Sequence, residues 1–85
     1  MDVSLSQQAK DFRPGVYRHY KGDLYFAFFV GRLSEKPSQE LVVYQSLTKG
    51  FVWLRPLEMF LEEVEVDGRK EPRFLWIGEK INSEE

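Results

Sequence analysis

The chain is 85 residues long, 42 % hydrophobic, 31 % charged and 15 % aromatic, with a formal net charge of −2. That length holds one core and no second domain, and its seven Phe, four Tyr and two Trp exclude a disordered tail. The absence of Cys and the single His exclude a disulfide, a thiolate nucleophile and an ordinary zinc site.

Residues 1–12 show no strong period and read as an N-terminal lead-in. Ser6 to Lys10 fits either one turn of helix or a loose segment, ended by Pro14-Gly15. From there the chain reads as β. Val16-Tyr17-Arg18-His19-Tyr20 is rich in strand formers, Lys21-Gly22-Asp23 is a turn, and Leu24 to Val30 returns, so residues 16–30 form a hairpin. Alternation along the second strand puts Leu24, Phe26, Phe28 and Val30 on the expected inner side, and Tyr25, Ala27 and Phe29 on the other. Leu33 to Gln39 lacks an apolar period and reads as a polar loop.

Glu40 to Ser46, with stiff Val42-Val43, is the third strand. Leu47 to Gly50 turns the chain, and Phe51 to Arg55 is the fourth strand, stopped by Pro56, which has no N–H for a ladder. Leu57, Phe60 and Leu61 fall at the i, i+3, i+4 spacing of one helical turn after that Pro. Glu63 to Asp67 alternates, with Val64 and Val66 inward, and Asp67-Gly68 is a strong hairpin signal. Pro72 to Ile77 is the return strand. Residues 79–85 are a charged tail expected to fray. The expected fold is therefore all-β: a small β-barrel or roll made of five or six short antiparallel strands with one short helical turn.

Three blocks carry a family likeness. Pro14-Gly-Val-Tyr-Arg-His-Tyr-Lys-Gly22, Leu41-Val-Val-Tyr44, and Trp53-Leu-Arg-Pro-Leu-Glu-Met-Phe60 with Val64 and Pro72-Arg-Phe74 resemble the bacterial family catalogued as domain of unknown function 1653. The resemblance covers about residues 13–78 and implies a small SH3-like barrel there; it implies no activity. Members commonly carry a His-Ser-Glu-Thr stretch after the second strand. The matching run here is Leu33-Ser34-Glu35-Lys36, so chemistry resting on that His is not carried by this chain.

Two constellations stand out as candidate binding sites. Tyr17, His19 and Lys21 share one side of the first strand, next to Tyr20, and combine a phenol, an imidazole and a cation suited to an anion or a protein partner. Arg55 shares a strand side with Phe51 and Trp53, where a guanidinium can stack on a ring and offer its edge to a carboxylate or phosphate. The structural alternatives are a His19 that bonds a neighbouring strand or faces water, and an Arg55 that pins the acidic turn through Glu58 or Glu62. No nucleophile motif accompanies His19, and no phosphate-cradling glycine motif occurs. Glu63, Glu65 and Asp67 alternate outward as a solvated face and build no calcium loop. The chain calls for no cofactor and no metal.

Charge divides unevenly, +3 over residues 1–55 and −5 over residues 56–85. Arg13, Arg18, Lys21, Arg32, Lys49 and Arg55, interleaved with Tyr17, Tyr20, Tyr25 and Phe51, leave a single-stranded nucleic-acid-binding barrel as the alternative function, against a sequence pI near 5.4. The longest apolar run, Leu24 to Val30, falls far short of the ~20 residues of a membrane helix. The polar N-terminus is not the pattern of a signal peptide, and the expected location is cytoplasmic. The first expectation is a non-catalytic module that docks a peptide or protein through Tyr17, His19, Tyr20, Lys21, Trp53 and Arg55. Phe26, Phe28 and Phe74 are expected inside. Tyr25, Phe29 and Trp76 are then surplus, to be covered by the lead-in, by the turn at Leu57 to Leu61, or by another molecule such as a second copy.

Overall fold

The computed structural model describes residues 4–80. Ser6 caps the first helix. Its Oγ accepts the Ala9 N–H at 3.0 Å, and the short helix α1, Gln7–Lys10, follows from that cap. The same hydroxyl donates to Glu40 Oε1 at 2.7 Å, while the Ser6 N–H donates to Oε2 at 2.8 Å. One carboxylate from the distant third strand thus clamps the lead-in. These two bonds hold the Glu40 carboxyl below its ordinary value, Ser6 being the main cause. A group depressed in the fold stabilises it fully above the unfolded pKa and loses that contribution as pH falls through the folded value. Protection of the Ser6 and Ala9 amides against exchange is therefore expected to fall as pH drops through the lowered Glu40 value, ahead of protection in the sheet. Glu40→Gln, which removes the titration, is expected to abolish the selective pH response; an unchanged response in that variant overturns the assignment.

The strands are β1 Gly15–His19, β2 Leu24–Leu33, β3 Lys36–Ser46 and β4 Val52–Pro56. After the helical turn α2, Leu57–Phe60, come β5 Glu63–Val66, β6 Arg69–Pro72 and β7 Phe74–Gly78. The antiparallel pairings build one sheet in the order β4-β3-β2-β1-β7 and a separate hairpin β5-β6. The all-β reading stands, with three corrections. The sheet is open where a closed barrel was expected. Among the described residues there are seven strands in place of five or six, and two helical turns in place of one.

Local chemistry accounts for the added strands. Pro72 cannot donate to a ladder, so the expected single strand over 72–77 splits at Arg73. The Arg73 N–H donates to the Glu62 carbonyl at 2.9 Å, and its carbonyl accepts from the Tyr20 N–H at 2.9 Å. β6 completes the hairpin turned by Asp67 (φ 52°) and Gly68 (φ 79°); β7 crosses to β1. The expected loop over 33–39 is likewise strand, because Leu33 pairs with Lys36 around a two-residue turn. Its residues are largely exposed and carry no apolar period for a sequence reading to detect.

One face of the sheet carries the core. Tyr17, Ala27, Val42, Tyr44 and Phe74 meet Ala9, Leu57 and Phe60 from the two helical turns. Phe60 sits at the middle, stacked on Phe74 at 4.1 Å and edge-on to Phe12, Tyr17 and Tyr44 at 5.1–5.8 Å. Leu57 and Phe60 face inward as the helical spacing requires, whereas Leu61 is exposed.

The second strand's sides are reversed as far as Phe28, while Val30 inside and Phe29 outside fall as expected. Tyr25, Ala27 and Val30 belong to the core side; Phe28 and Phe29 are exposed. A bulge between Ala27 and Phe29 inserts one residue and shifts the phase, which brings Val30 back inward. Trp76, expected outside, also packs against the core, with the Arg13 guanidinium 3.4 Å from its ring centre and its indole N–H on the Pro14 carbonyl at 3.2 Å. Phe74 is inside as expected. Of the tail expected to fray, residues 81–85 lie outside the described residues.

Candidate anion-binding aromatic site

β1 ends at His19, where the chain turns sharply. The His19 N–H donates to the Asp23 carbonyl at 2.8 Å, and its own carbonyl accepts from Gly22 at 2.7 Å, with Gly22 at φ 113°. This turn fixes the imidazole. Its Nδ1 accepts the Lys21 N–H at 3.2 Å, which places the proton of the neutral ring on Nε2. Burial lowers the His19 pKa, and Arg55, Lys21 and Arg73 lower it further against a smaller opposing effect of Asp23. The ring is therefore neutral at physiological pH and offers Nε2–H as a donor.

Arg55 reaches the same place from the far side of the sheet. β3 pairs Val42 with Arg55 and Tyr44 with Trp53, so Arg55 and Trp53 share the side of Val42 and Tyr44. Arg55 Nε donates to Tyr44 Oη at 3.0 Å, and the guanidinium carbon lies 5.8 Å from the Phe74 ring centre. Phe74 is the common floor. His19 stands edge-on to it at 4.9 Å, Tyr25 at 5.7 Å and Tyr44 at 5.4 Å. The two separate constellations of the sequence thus form one site, with His19 and Arg55 both set against the Phe74 ring.

The anticipated structural role of Arg55 is not what holds it. Glu62 pairs instead with Arg73 at 3.0 Å, and among the described residues Arg55 has no ion-pair partner. Arg73 adds to the local cationic field, and its Nε is buried without a partner. Tyr25 remains a neutral phenol, its pKa raised by burial foremost, then by Asp23 and Tyr44, against Arg55.

The remaining predicted residues divide. Tyr20 lies 4.6 Å from the His19 ring, and Lys21 Nζ lies 5.8 Å from the Tyr20 ring. Together with Arg18, Glu71 and Pro72 they line a concavity of about 360 Å³ beside His19. Trp53 is 49 % and Phe51 60 % exposed, edge-on at 6.0 Å, which extends the site along β4. Tyr17 does not belong to it. The side chain is buried beneath Phe60, its hydroxyl donates to the Arg13 carbonyl at 2.6 Å, and burial pushes its pKa up to about 12 against the opposing pull of Arg13. Sequence reasoning passed over Tyr44, Phe74 and Arg73; the Arg-Phe pair at 73–74 in the family-like block was the available signal.

The cations proposed for a nucleic-acid groove gather only in part, Arg18 and Lys21 lining the concavity beside His19. Arg13 lies on Trp76, Arg55 lies over Phe74, and Arg18 pairs with Leu24 and Leu75 on the opposite side of the sheet. Among the described residues no group of three or more His, Asp or Glu is placed to hold a metal, and no helix is long and apolar enough to cross a membrane.

A family model described as "Protein of unknown function (DUF1653)" matches residues 15–76. The chain belongs to this family. A crystal structure of a DUF1653 protein from Bordetella bronchiseptica superposes with a TM-score of 0.79 at 38 % identity, covering 89 % of this chain and 99 % of that one. No curated protein matches. Every site residue from His19 to Phe74 lies inside the matched DUF1653 segment. The lead-in helix α1 and its Ser6 cap precede it.

Proposed function

We propose that this DUF1653 chain is a cytoplasmic, non-catalytic module that docks an extended acidic peptide segment of a protein partner. The observation that carries the reading is Arg55. It is braced by Tyr44 and Phe74 yet has no carboxylate partner among the described residues. A guanidinium held on one side presents its remaining N–H fork to a carboxylate with little further loss of rotamer freedom. His19 adds a neutral N–H donor, and Phe51 and Trp53 offer apolar surface for neighbouring side chains. β4 is an edge strand of the sheet, so its backbone can pair with an extended chain. The net charge of −2 favours a ligand with a few carboxylates over the polyanion of nucleic acid.

The test is a peptide array containing acidic, neutral and basic sequences, followed by solution titration of the best acidic peptide. Arg55→Ala is expected to weaken binding at least tenfold, the order of one lost charge-assisted bond, and Arg55→Lys to restore only part of it. Acidic peptides that bind no better than neutral ones, or an Arg55→Ala protein that binds them equally well, overturn the reading. Tight capture of single-stranded oligonucleotide with a steep salt dependence establishes the alternative function instead.

A further inference from the structure

The side of the sheet opposite the core is apolar and largely exposed, apart from Val16, which pairs with Phe26 and is buried among its neighbours. Paired residues share a side, so the registers define its rows. One row is Leu54–Val43–Phe29, a second is Val52–Gln45–Phe26, and a third is Leu24–Arg18–Leu75. Phe28 joins the first row through the bulge, and Ile77 follows Leu75 two residues along β7. Six of these side chains, Phe28, Phe29, Val52, Leu54, Leu75 and Ile77, are 36–63 % exposed.

We infer that this face binds a second copy of the chain, sheet against sheet, as a two-fold dimer. Three arguments select that occupant. The first is area. Six such side chains present roughly 500 Å² of apolar surface, about one-twelfth of the chain's 6196 Å². Two copies face to face remove roughly 1,000 Å², the lower bound of a specific interface, before the rim contributes. The second is charge. Across these rows Arg18 is the only ionisable group, so the face offers no charge pattern by which a foreign surface would be recognised. Arg18 lies next to His19 at the end of β1 and borders the concavity with Tyr20 and Lys21. The third is shape. Two twisted sheets stack with their strands about 30° apart and interdigitate their inner side chains, and a two-fold axis makes one apolar sheet face complementary to itself. The face meets the peptide site only at Arg18 and Leu75, which border the concavity beside His19; Arg55, Trp53 and Phe74 lie on the core side.

The decisive measurement is the mass of the full chain in solution by sedimentation equilibrium across micromolar concentrations. The wild-type chain is expected to be dimeric, with a melting temperature that rises with concentration. Leu54→Glu, and separately Phe29→Glu, are expected to give monomers of unchanged fold, with dimer association weakened at least tenfold. Both positions are exposed, so a folded monomer is attainable, and circular dichroism verifies it. Trp53→Ala is expected to leave the dimer intact. A wild-type chain that stays monomeric at every concentration overturns the inference, as does a dimer that both glutamate variants leave unchanged or one that Trp53→Ala dissolves.

Discussion

Gly15→Ala is expected to destabilise the fold by about 3 kcal/mol and to lower the melting temperature by roughly 12–24 °C. Two separate costs combine. Gly15 has φ of 142°, a backbone conformation that side chains with a Cβ rarely adopt. A Cβ built there would also lie 2.5 Å from the Gly78 carbonyl oxygen and 2.7 Å from the Trp76 indole nitrogen. The first of these is backbone in the paired strand, so rotating a side chain does not relieve it. Relief requires β7 to move away from β1, and β7 carries both Phe74 and Trp76 into the core. Gly22→Ala isolates the conformational cost, because Gly22 also has positive φ but nothing lies within 4 Å of its would-be Cβ. Thermal melts of the two variants side by side measure the difference. Equal losses would mean that the close approach of β1 to β7 carries no penalty.

How much was legible in the sequence depended on whether each signal was local. Asp67-Gly68 and Pro56 act on their own backbone, and both the hairpin turn and the end of β4 fall where those residues place them. Leu24 to Val30 is different. A strand apolar on both sides gives alternation no phase, and the extra residue at the bulge changes the phase midway. Its sides were therefore decided by what α1, α2 and Phe12 cover. The site shows the same limit. His19 and Arg55 were each visible as unusual residues, but they are 36 positions apart and meet only because the sheet order β4-β3-β2-β1-β7 folds both over Phe74. Tyr17 illustrates the converse. A phenol on a strand beside a histidine reads alike as ligand contact or core, and the Phe60 ring from a distant helical turn decides for the core.

That distinction between core and surface aromatics sets the last expected result. Phe60→Ala is expected to cost about 3–5 kcal/mol, while Trp53→Ala costs about 1–2 kcal/mol. Phe60 is 1 % exposed and holds four rings together, so truncation leaves a cavity that Phe12, Tyr17, Tyr44 and Phe74 cannot all close on at once. A domain of this length has total stability of roughly 4–13 kcal/mol, so the loss removes a large share of it or all of it. Phe60→Leu, which keeps most of the volume, is expected to be milder and keeps the comparison measurable if Phe60→Ala fails to fold. Trp53 is half exposed on the edge strand and forfeits mainly its pairing with Tyr44 and its contact with Phe51. Urea denaturation of Phe60→Leu and Trp53→Ala, joined to the acidic-peptide titration, then separates the two roles. Phe60→Leu is expected to lose stability and retain peptide affinity, and Trp53→Ala to lose affinity with most of its stability intact. The reverse pattern would place Trp53 among the groups that hold the fold together and withdraw the aromatic row of β4 from the binding site.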